Sequence, residues 1–177
     1  MFKFLEKIST QKSILIIAFK GWSDAAEAAT SAIDTIISNY DSKKFASFEE
    51  EEFFAFARER PNIKNSKDGR IIEWPNNDLY YIQDAINNTP LIIMNGTEPH
   101  FKWKTFSKEV IDLCVSMNVS SVVTLGALLD SIPHTRGVKT QITGQHEFMP
   151  EDFTQKKIGP SKYEGPTGIT SVIIEDF

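Results

Sequence analysis

Cysteine is almost absent from this chain, and long apolar runs and basic patches are missing. The 177 residues include one cysteine, Cys114, which excludes an intrachain disulfide and argues against a cysteine-based zinc cluster. The 24 acidic side chains outnumber the 19 basic ones, so the charge balance opposes binding to nucleic-acid phosphates. No stretch approaches the roughly 20 apolar residues of a membrane-spanning helix. We therefore expect a cytoplasmic protein that binds neither nucleic acid nor membranes.

The signatures of familiar catalytic sites are also missing. The turn after the first apolar run carries a single glycine, Gly21, without the glycine spacing of a phosphate-binding loop. No serine stands in a nucleophile elbow, and no histidines have the spacing of metal ligands. The sequence therefore predicts no metal and no cofactor, and it mildly favours a binding role over catalysis.

What the chain does contain indicates an α/β fold. Three strand-like apolar runs, at residues 14–19, 91–94 and 122–129, predict strands buried on both faces of a parallel sheet. Amphipathic helical patterns follow the first two runs. The alternation predicts a single α/β domain over residues 1–177, with a mostly parallel, mixed sheet in a three-layer αβα arrangement.

Local signals predict where the helices begin. Asp24 and Glu27 have the spacing of a capping box, which places the start of the first helix at Asp24. A second helix is predicted to begin near Pro99. Cys114 falls within that helix among apolar neighbours, so we expect it to act as a small buried hydrophobe.

Two segments between the first helix and the second buried strand suggest surface features. Residues 62–69 are polar and turn-rich and precede a short strand pattern at 70–74, which predicts a hairpin. Phe53, Phe54 and Phe56 follow the acidic run Glu49–Glu52, and we expect these aromatic side chains to be exposed. Exposed aromatics need covering, so they predict self-association.

Unusual residues gather at four polar junctions, at 21–28, 95–99, 133–136 and 163–168. In an open parallel sheet, ligands and partners bind outside the carboxyl ends of the strands, where such junctions lie. We therefore select eight candidates for a ligand or partner site: Gly21, Trp22, Asp24, Gly96, Glu98, His134, Arg136 and Glu164.

Each polar candidate has a functional and a structural interpretation. Asp24 could help to hold an anion at a helix N-terminus, but capping that helix is the favoured role. Glu98 could bind a ligand or neighbouring turn amides, and both interpretations stay open. His134 and Arg136 could supply a titratable group and an anion-binding fork, or brace their loop. If Glu98 met Glu164 in one pocket, one of them could act as an acid or base.

Six strings along the chain resemble the proteasome assembly chaperone 2 family in its archaeal and actinobacterial branch. They occur in register over most of the chain. The strings are Gly21-Trp22-Ser23-Asp24-Ala25, Arg60-Pro61, Arg70-Ile71-Ile72-Glu73-Trp74-Pro75, Gly96-Thr97-Glu98-Pro99 with Trp103, Pro133-His134-Thr135-Arg136 and Tyr163-Glu164-Gly165-Pro166-Thr167-Gly168.

The resemblance implies a phosphorylase- or hydrolase-like α/β fold and a protein-binding role similar to that of assembly chaperones. It implies proteasome α-type subunits as partners and a homo-oligomeric state. Members of this branch continue with a further strand and helices, so the chain is expected to lack its C-terminal portion. The alternative is a small-molecule binder or enzyme of the nucleosidase, phosphorylase or ATP-grasp ligase kind, with its site at the carboxyl edge of the sheet.

Overall fold

The computed structural model describes residues 2–48, 51–67, 69–86, 88–137, 140–142 and 163–177. Contacts between residues divide the chain into two compact units. The larger unit comprises Met1–Leu128 and Thr167–Phe177, and the smaller one comprises Leu129–Pro166. Every helix and strand that is described belongs to the larger unit.

The larger unit contains a six-stranded sheet and a separate two-stranded hairpin. The strands of the sheet are β1 (Phe2–Phe4), β2 (Ser13–Lys20), β3 (Lys43–Phe48), β6 (Asn77–Ile86), β7 (Thr89–Thr97) and β8 (Val119–Thr124). The predicted hairpin consists of β4 (Asn62–Ser66) and β5 (Gly69–Glu73). The helices are α1 (Ala28–Asn39), α2 (Trp103–Ser116) and α3 (Ile169–Asp176).

Strand pairing confirms an α/β fold with a mixed sheet. β2 pairs in parallel with β7 on one side and with β8 on the other, as the three apolar runs predict. The order across the sheet is β1-β3-β6-β7-β2-β8, and the pairings among β1, β3, β6 and β7 are antiparallel. The antiparallel share is larger than the sequence indicated, because β6 is separated from β7 by only two residues and must run against it.

The side chains of β2 show why helices cover both faces of the sheet. Leu15, Ile17 and Phe19 point to one face, where they pack in a cluster with α2 and α3. Ala18 points to the opposite face and packs in a cluster with Ile33 of α1. Successive side chains of a strand alternate in this way. The resulting layers confirm the predicted αβα arrangement.

Helix α2 begins at Trp103 rather than near Pro99, after Lys102 in a left-handed conformation. Its predicted apolar stripe is buried against the sheet. Cys114 is 2% exposed, and burial raises the pKa of its thiol to about 12, which agrees with a purely apolar role. None of the helices in the described ranges is long and apolar enough to cross a membrane.

The prediction that Phe53, Phe54 and Phe56 are exposed is wrong. Phe53 and Phe54 are buried, and Phe56 is half-buried against Trp74, with ring centroids 4.8 Å apart. Phe53 packs edge-to-face on Phe106 of α2 at a centroid distance of 5.5 Å. The chain therefore covers these aromatics itself, because segment 51–56 folds back over the sheet. They give no support to self-association.

Candidate functional site

The first junction, after β2, is a turn stabilised by Asp24. Its carboxylate is buried and accepts hydrogen bonds from the main-chain N–H groups of Ala29 at 2.7 Å and Thr30 at 3.2 Å. The hydroxyl of Thr30 also donates to it. Because these amides belong to the first turn of α1, Asp24 satisfies donors that have no partner within the helix. The favoured interpretation of Asp24, as a cap, agrees with this geometry.

The capping box predicted at this junction is wrong. Residues Ala25–Glu27 form a 3-10 turn, and α1 begins at Ala28. Ala26 and Glu27 have positive φ angles of 54° and 56°, so the extra turn moves the helix start four residues beyond Asp24. Glu27 makes no capping hydrogen bond, and its carboxylate lies 3.7 Å from the Lys20 ammonium instead. Asp24 consequently reaches amides five and six residues ahead.

We expect Asp24→Ala to lower the free energy of unfolding by about 1–2 kcal/mol, the usual cost of losing a helix cap. Asp24→Asn keeps a side-chain oxygen that can accept from Ala29 and should cost less. Urea denaturation followed by circular dichroism measures both variants. Asp41→Ala, at an exposed aspartate, is the control and should change stability little. Equal effects of Asp24→Ala and Asp41→Ala would contradict the capping role.

The second junction, after β7, places Glu98 between two other segments. One carboxylate oxygen of Glu98 accepts from the main-chain N–H of Ile169, at the start of α3, at 2.9 Å. The other accepts from the main-chain N–H of Trp22 at 3.3 Å. A Cβ atom on Gly21 would lie 2.9 Å from the Cβ of Glu98, and one on Gly168 would lie 3.0 Å from its Oε1. The two glycines therefore permit the close approach of these segments to Glu98.

The residues after β8 also reach the first junction. Ala127 donates its main-chain N–H to the carbonyl oxygen of Ser23 at 2.8 Å, and Ala25 donates to the carbonyl oxygen of Ala127 at 3.1 Å. The structure thus brings together Gly21, Trp22, Asp24 and Glu98 with the start of α3. Their polar contacts are mainly main-chain hydrogen bonds that join these segments.

His134, Arg136 and Glu164 are exposed and belong to the smaller unit. Within it, the main-chain N–H of Arg136 donates to the carbonyl oxygen of Pro133 at 2.9 Å and closes a turn. The convergence of these three residues on Asp24 and Glu98 stays a prediction. Among the described residues, no group of three or more histidine, cysteine or acidic side chains could hold a metal ion.

An open cleft of about 350 Å³ lies beside Gly96, at the carboxyl ends of β2 and β7. The amino end of β6 and the base of the β4–β5 hairpin form its other walls. Several of the strings that carry the family resemblance line it, through Arg60, Trp74 with Pro75, and Gly96 with Thr97. Its charged side chains are Glu27, Asp34, Glu59, Glu73 and Asp78, with Lys20 and Arg60.

Ion pairs and hydrogen bonds arrange the charged side chains around the cleft. The Lys20 ammonium lies between the carboxylates of Glu27 and Glu59, 3.7 Å and 3.9 Å away. Asp34 accepts a hydrogen bond from the side-chain amide of Asn95 at 2.6 Å. Burial raises the pKa of the Tyr80 hydroxyl, and the charges of Asp78 and Asp34 raise it further. The cleft is therefore polar, predominantly acidic and open, which suits contact with a charged surface.

Sequence reasoning missed most of the cleft. Asp34 stands within a helix pattern, and Asp78 stands at the start of a short apolar run, so neither lies at a predicted junction. The antiparallel pairing of β6 with β7 would have indicated that Asp78 lies at the cleft, because it places Asp78 opposite Asn95. In such a pair, the amino end of one strand adjoins the carboxyl end of the other. Polar residues at the start of a neighbouring antiparallel strand therefore lie at the same edge of the sheet as the carboxyl ends of the parallel strands.

Comparison with known proteins gives the family. The PAC2 family model matches residues 18–177. The structure resembles a PAC2 family protein from Streptomyces avermitilis, with a TM-score of 0.79 and 30% identity, over 93% of this chain and 69% of that one.

A Mycobacterium tuberculosis protein described as a proteasome-assembly chaperone homologue has a TM-score of 0.79 and 28% identity, over 92% of this chain and 68% of its own. A Corynebacterium glutamicum protein of unknown function shares the fold, with a TM-score of 0.78 and 23% identity, over 99% of this chain and 66% of that one. No curated protein matches the sequence. Because the family model covers most of the sequence, this chain belongs to the PAC2 family.

Proposed function

We propose that this chain is a protein-binding domain that acts like an assembly chaperone, with proteasome α-type subunits as its partners. Membership of the PAC2 family supports a role of this kind. The Mycobacterium tuberculosis relative is described as a proteasome-assembly chaperone homologue, which supports the choice of partner. Binding to proteasome subunits would place the protein in the cytoplasm.

The observation that best supports this proposal is that the polar residues at the carboxyl edge of the sheet hydrogen-bond to the main chain. The carboxylates of Asp24 and Glu98 each accept two main-chain hydrogen bonds, so they connect segments of the fold. Beside them lies an open cleft with charges of both signs. Small-molecule sites are usually enclosed and mostly apolar, whereas charged, open surfaces are typical of the rim of a protein interface.

The same contacts weigh against the alternative of a nucleosidase, phosphorylase or ligase. In that alternative, Asp24 or Glu98 would bind a ligand or transfer a proton. A carboxylate that already accepts two main-chain hydrogen bonds has less capacity for either task. The alternative would then depend on His134, Arg136 and Glu164 alone.

Co-expression with proteasome α-type subunits, followed by affinity capture of a tag on this chain, tests the proposal. We expect the wild-type chain to retain the subunits. Asp34→Lys/Glu59→Lys reverses two charges in the cleft and should reduce capture at least about tenfold, since like charges across an interface are unfavourable. Asp112→Lys is the control, because Asp112 is an exposed residue of α2, which covers the opposite face of the sheet from α1.

Three outcomes are distinguishable in this experiment. Retention by the wild type and by Asp112→Lys, with loss in the cleft variant, supports both the partner and the site. Equal retention by the cleft variant would exclude the cleft as the docking site. Failure of the wild-type chain to retain any α-type subunit would contradict the proposed function.

A further inference from the structure

Residues 51–60 form a stretch over the sheet that we call the covering segment. Its first half is buried through Phe53 and Phe54, which pack in the cluster with α2. Its second half carries Glu59 and Arg60, which line the open cleft. The residues that follow β7, at 98–102, hold this segment in place.

Two kinds of hydrogen bond join the covering segment to the residues after β7. The carbonyl oxygen of Phe53 accepts from the main-chain N–H groups of His100 at 2.7 Å and Phe101 at 3.1 Å. The main-chain N–H of Ala55 donates to Nδ1 of the His100 ring at 3.3 Å. The first kind joins main-chain groups and does not depend on pH, whereas the second uses a titratable ring.

The bond from Ala55 requires a neutral His100 ring. A main-chain N–H can only donate, so Nδ1 carries no proton and the proton of the neutral ring is on Nε2. A protonated imidazole has an N–H at both positions and cannot accept. Histidine is the side chain that ordinarily changes its charge between about pH 5 and about pH 8. The bond is therefore present at the higher pH and lost as the pH falls.

His100 is the one histidine in the two stretches that meet here, residues 51–60 and 98–102. Lys102 pairs with Glu52 at 3.0 Å, while Glu98 faces the first junction. Carboxylate, ammonium and guanidinium groups ordinarily keep their charge between about pH 5.5 and about pH 7.5. The other charged side chains of the two stretches are all of these kinds, namely Glu51, Glu52, Arg58, Glu59, Arg60, Glu98 and Lys102. A change of charge at this junction over that range is therefore a change at His100.

Ala55 links the His100 ring to the wall of the cleft. Its carbonyl oxygen accepts from the main-chain N–H groups of Arg58 at 2.7 Å and Glu59 at 3.1 Å. The turn that places Glu59 is thus built on Ala55. The carboxylate of Glu59 in turn lies 3.9 Å from the Lys20 ammonium, on another wall of the cleft. A displacement of Ala55 would therefore move this part of the cleft.

We propose that His100 is a pH-sensitive switch for the second half of the covering segment. At neutral pH the ring accepts from Ala55 and fixes the turn that places Glu59 and Arg60 at the cleft. Protonation removes the acceptor and sets a ring N–H against the N–H of Ala55. Residues 55–60 then move away, while the main-chain bonds of Phe53 remain. The inference does not depend on the proposed function, because it concerns the cleft of the chain alone.

Amide hydrogen exchange followed by NMR at about pH 7.5 and about pH 5.5 tests the proposal, after correction for the intrinsic effect of pH on exchange. In the wild type, we expect the protection of the Ala55, Arg58 and Glu59 amides to fall about fivefold or more at the lower pH, as the loss of one hydrogen bond allows. The amide of Phe101, which donates to Phe53, is the internal control and should keep its protection.

Substitutions separate the acceptor from the ring. His100→Asn keeps a side-chain oxygen that can accept from Ala55 and gains no proton in this range, so protection should be equal at both pH values. His100→Phe keeps an aromatic ring beside Phe54, whose centroid lies 6.1 Å from that of His100, but has no acceptor. Its Ala55 amide should be poorly protected at both. Glu52→Gln removes the neighbouring ion pair and is the control, which should keep the pH dependence of the wild type.

Three results would overturn the proposal. One is equal protection of the wild-type Ala55 amide at both pH values. Another is a fall in His100→Asn as large as that in the wild type, because a different group would then be responsible. The third is full protection in His100→Phe, which would show that ring packing holds the segment. The wild type and His100→Asn decide the question even if His100→Phe does not fold. Because exchange is measured on the chain alone, failure to capture α-type subunits bears only on the proposed function.

Discussion

Gly96→Ala is expected to destabilise the protein by about 3 kcal/mol, at the upper end of the cost of overpacking a core. A Cβ atom at this position would lie 1.8 Å from the side-chain oxygen of Asn77 and 2.6 Å from the carbonyl oxygen of Asn76. Asn77 is fully buried, so its side chain has little room to move away. The carbonyl of Asn76 accepts from the N–H of Thr97, so moving it would also disturb strand pairing.

Thermal unfolding should show this loss as a fall of about 10 °C in the midpoint, given the size of the chain. Asn77→Ala in the same background removes the nearer of the two clashes and should restore about half of the loss. The clash with Asn76 remains, so recovery stays partial. Gly137→Ala is the control, because no atom lies within 4 Å of its added Cβ. A Gly96→Ala variant as stable as Gly137→Ala would contradict the geometry.

The central strands could be predicted from the sequence because their burial leaves a local signal. β2 and β7 carry continuous apolar runs, which strands covered on both faces require. The prediction of a third buried strand at 122–129 is wrong, because β8 ends at Thr124 at the edge of the sheet and Leu128 and Leu129 are exposed. The parallel pairing of β2 with β7 and β8 followed from the helices between them. The antiparallel partners β1, β3 and β6 depend on pairing between distant segments, which periodicity within one segment does not encode.

The start of α1 shows where local rules fail. Asp24 and Glu27 fit a capping box, but the chain inserts a 3-10 turn with two left-handed residues. The main-chain bonds between Ala25, Ser23 and Ala127 stabilise this turn. Since Ala127 follows the last strand of the sheet, the conformation depends on a contact about one hundred residues away in sequence. No local pattern could have indicated it.

The candidate site stays a prediction, but the structure shows what several of its residues contact. The main-chain N–H of Trp22 donates to Glu98, which joins the first two junctions, while Asp24 accepts from Ala29 of α1. Their role depends on which N–H groups point at the carboxylates, and that is settled by the turn geometry and by the approach of α3. The charged cleft also required the register of β6 against β7.

Glu98 should be a major stabilising residue of this edge. Its carboxylate accepts from Ile169 at the N-terminus of α3, where the helix dipole favours a negative charge, and from Trp22 at the first junction. Hydrogen bonds to a charged group contribute about 1.5–3 kcal/mol each when buried, and partial exposure reduces that here. We expect Glu98→Ala to lower the free energy of unfolding by about 2–3 kcal/mol.

Glu98→Gln separates the charge from the hydrogen bonds. The amide oxygen can still accept from Ile169, but the negative charge and one acceptor are lost, so about half of the destabilisation is expected. Hydrogen exchange adds a local measurement, because the Ile169 amide should exchange faster in Glu98→Ala than in the wild type. Glu175→Ala, at an exposed position of α3 itself, is the matched control. If both alanine variants changed stability and Ile169 exchange equally, Glu98 would not hold α3 to the first junction, and its carboxylate would again be available for a ligand.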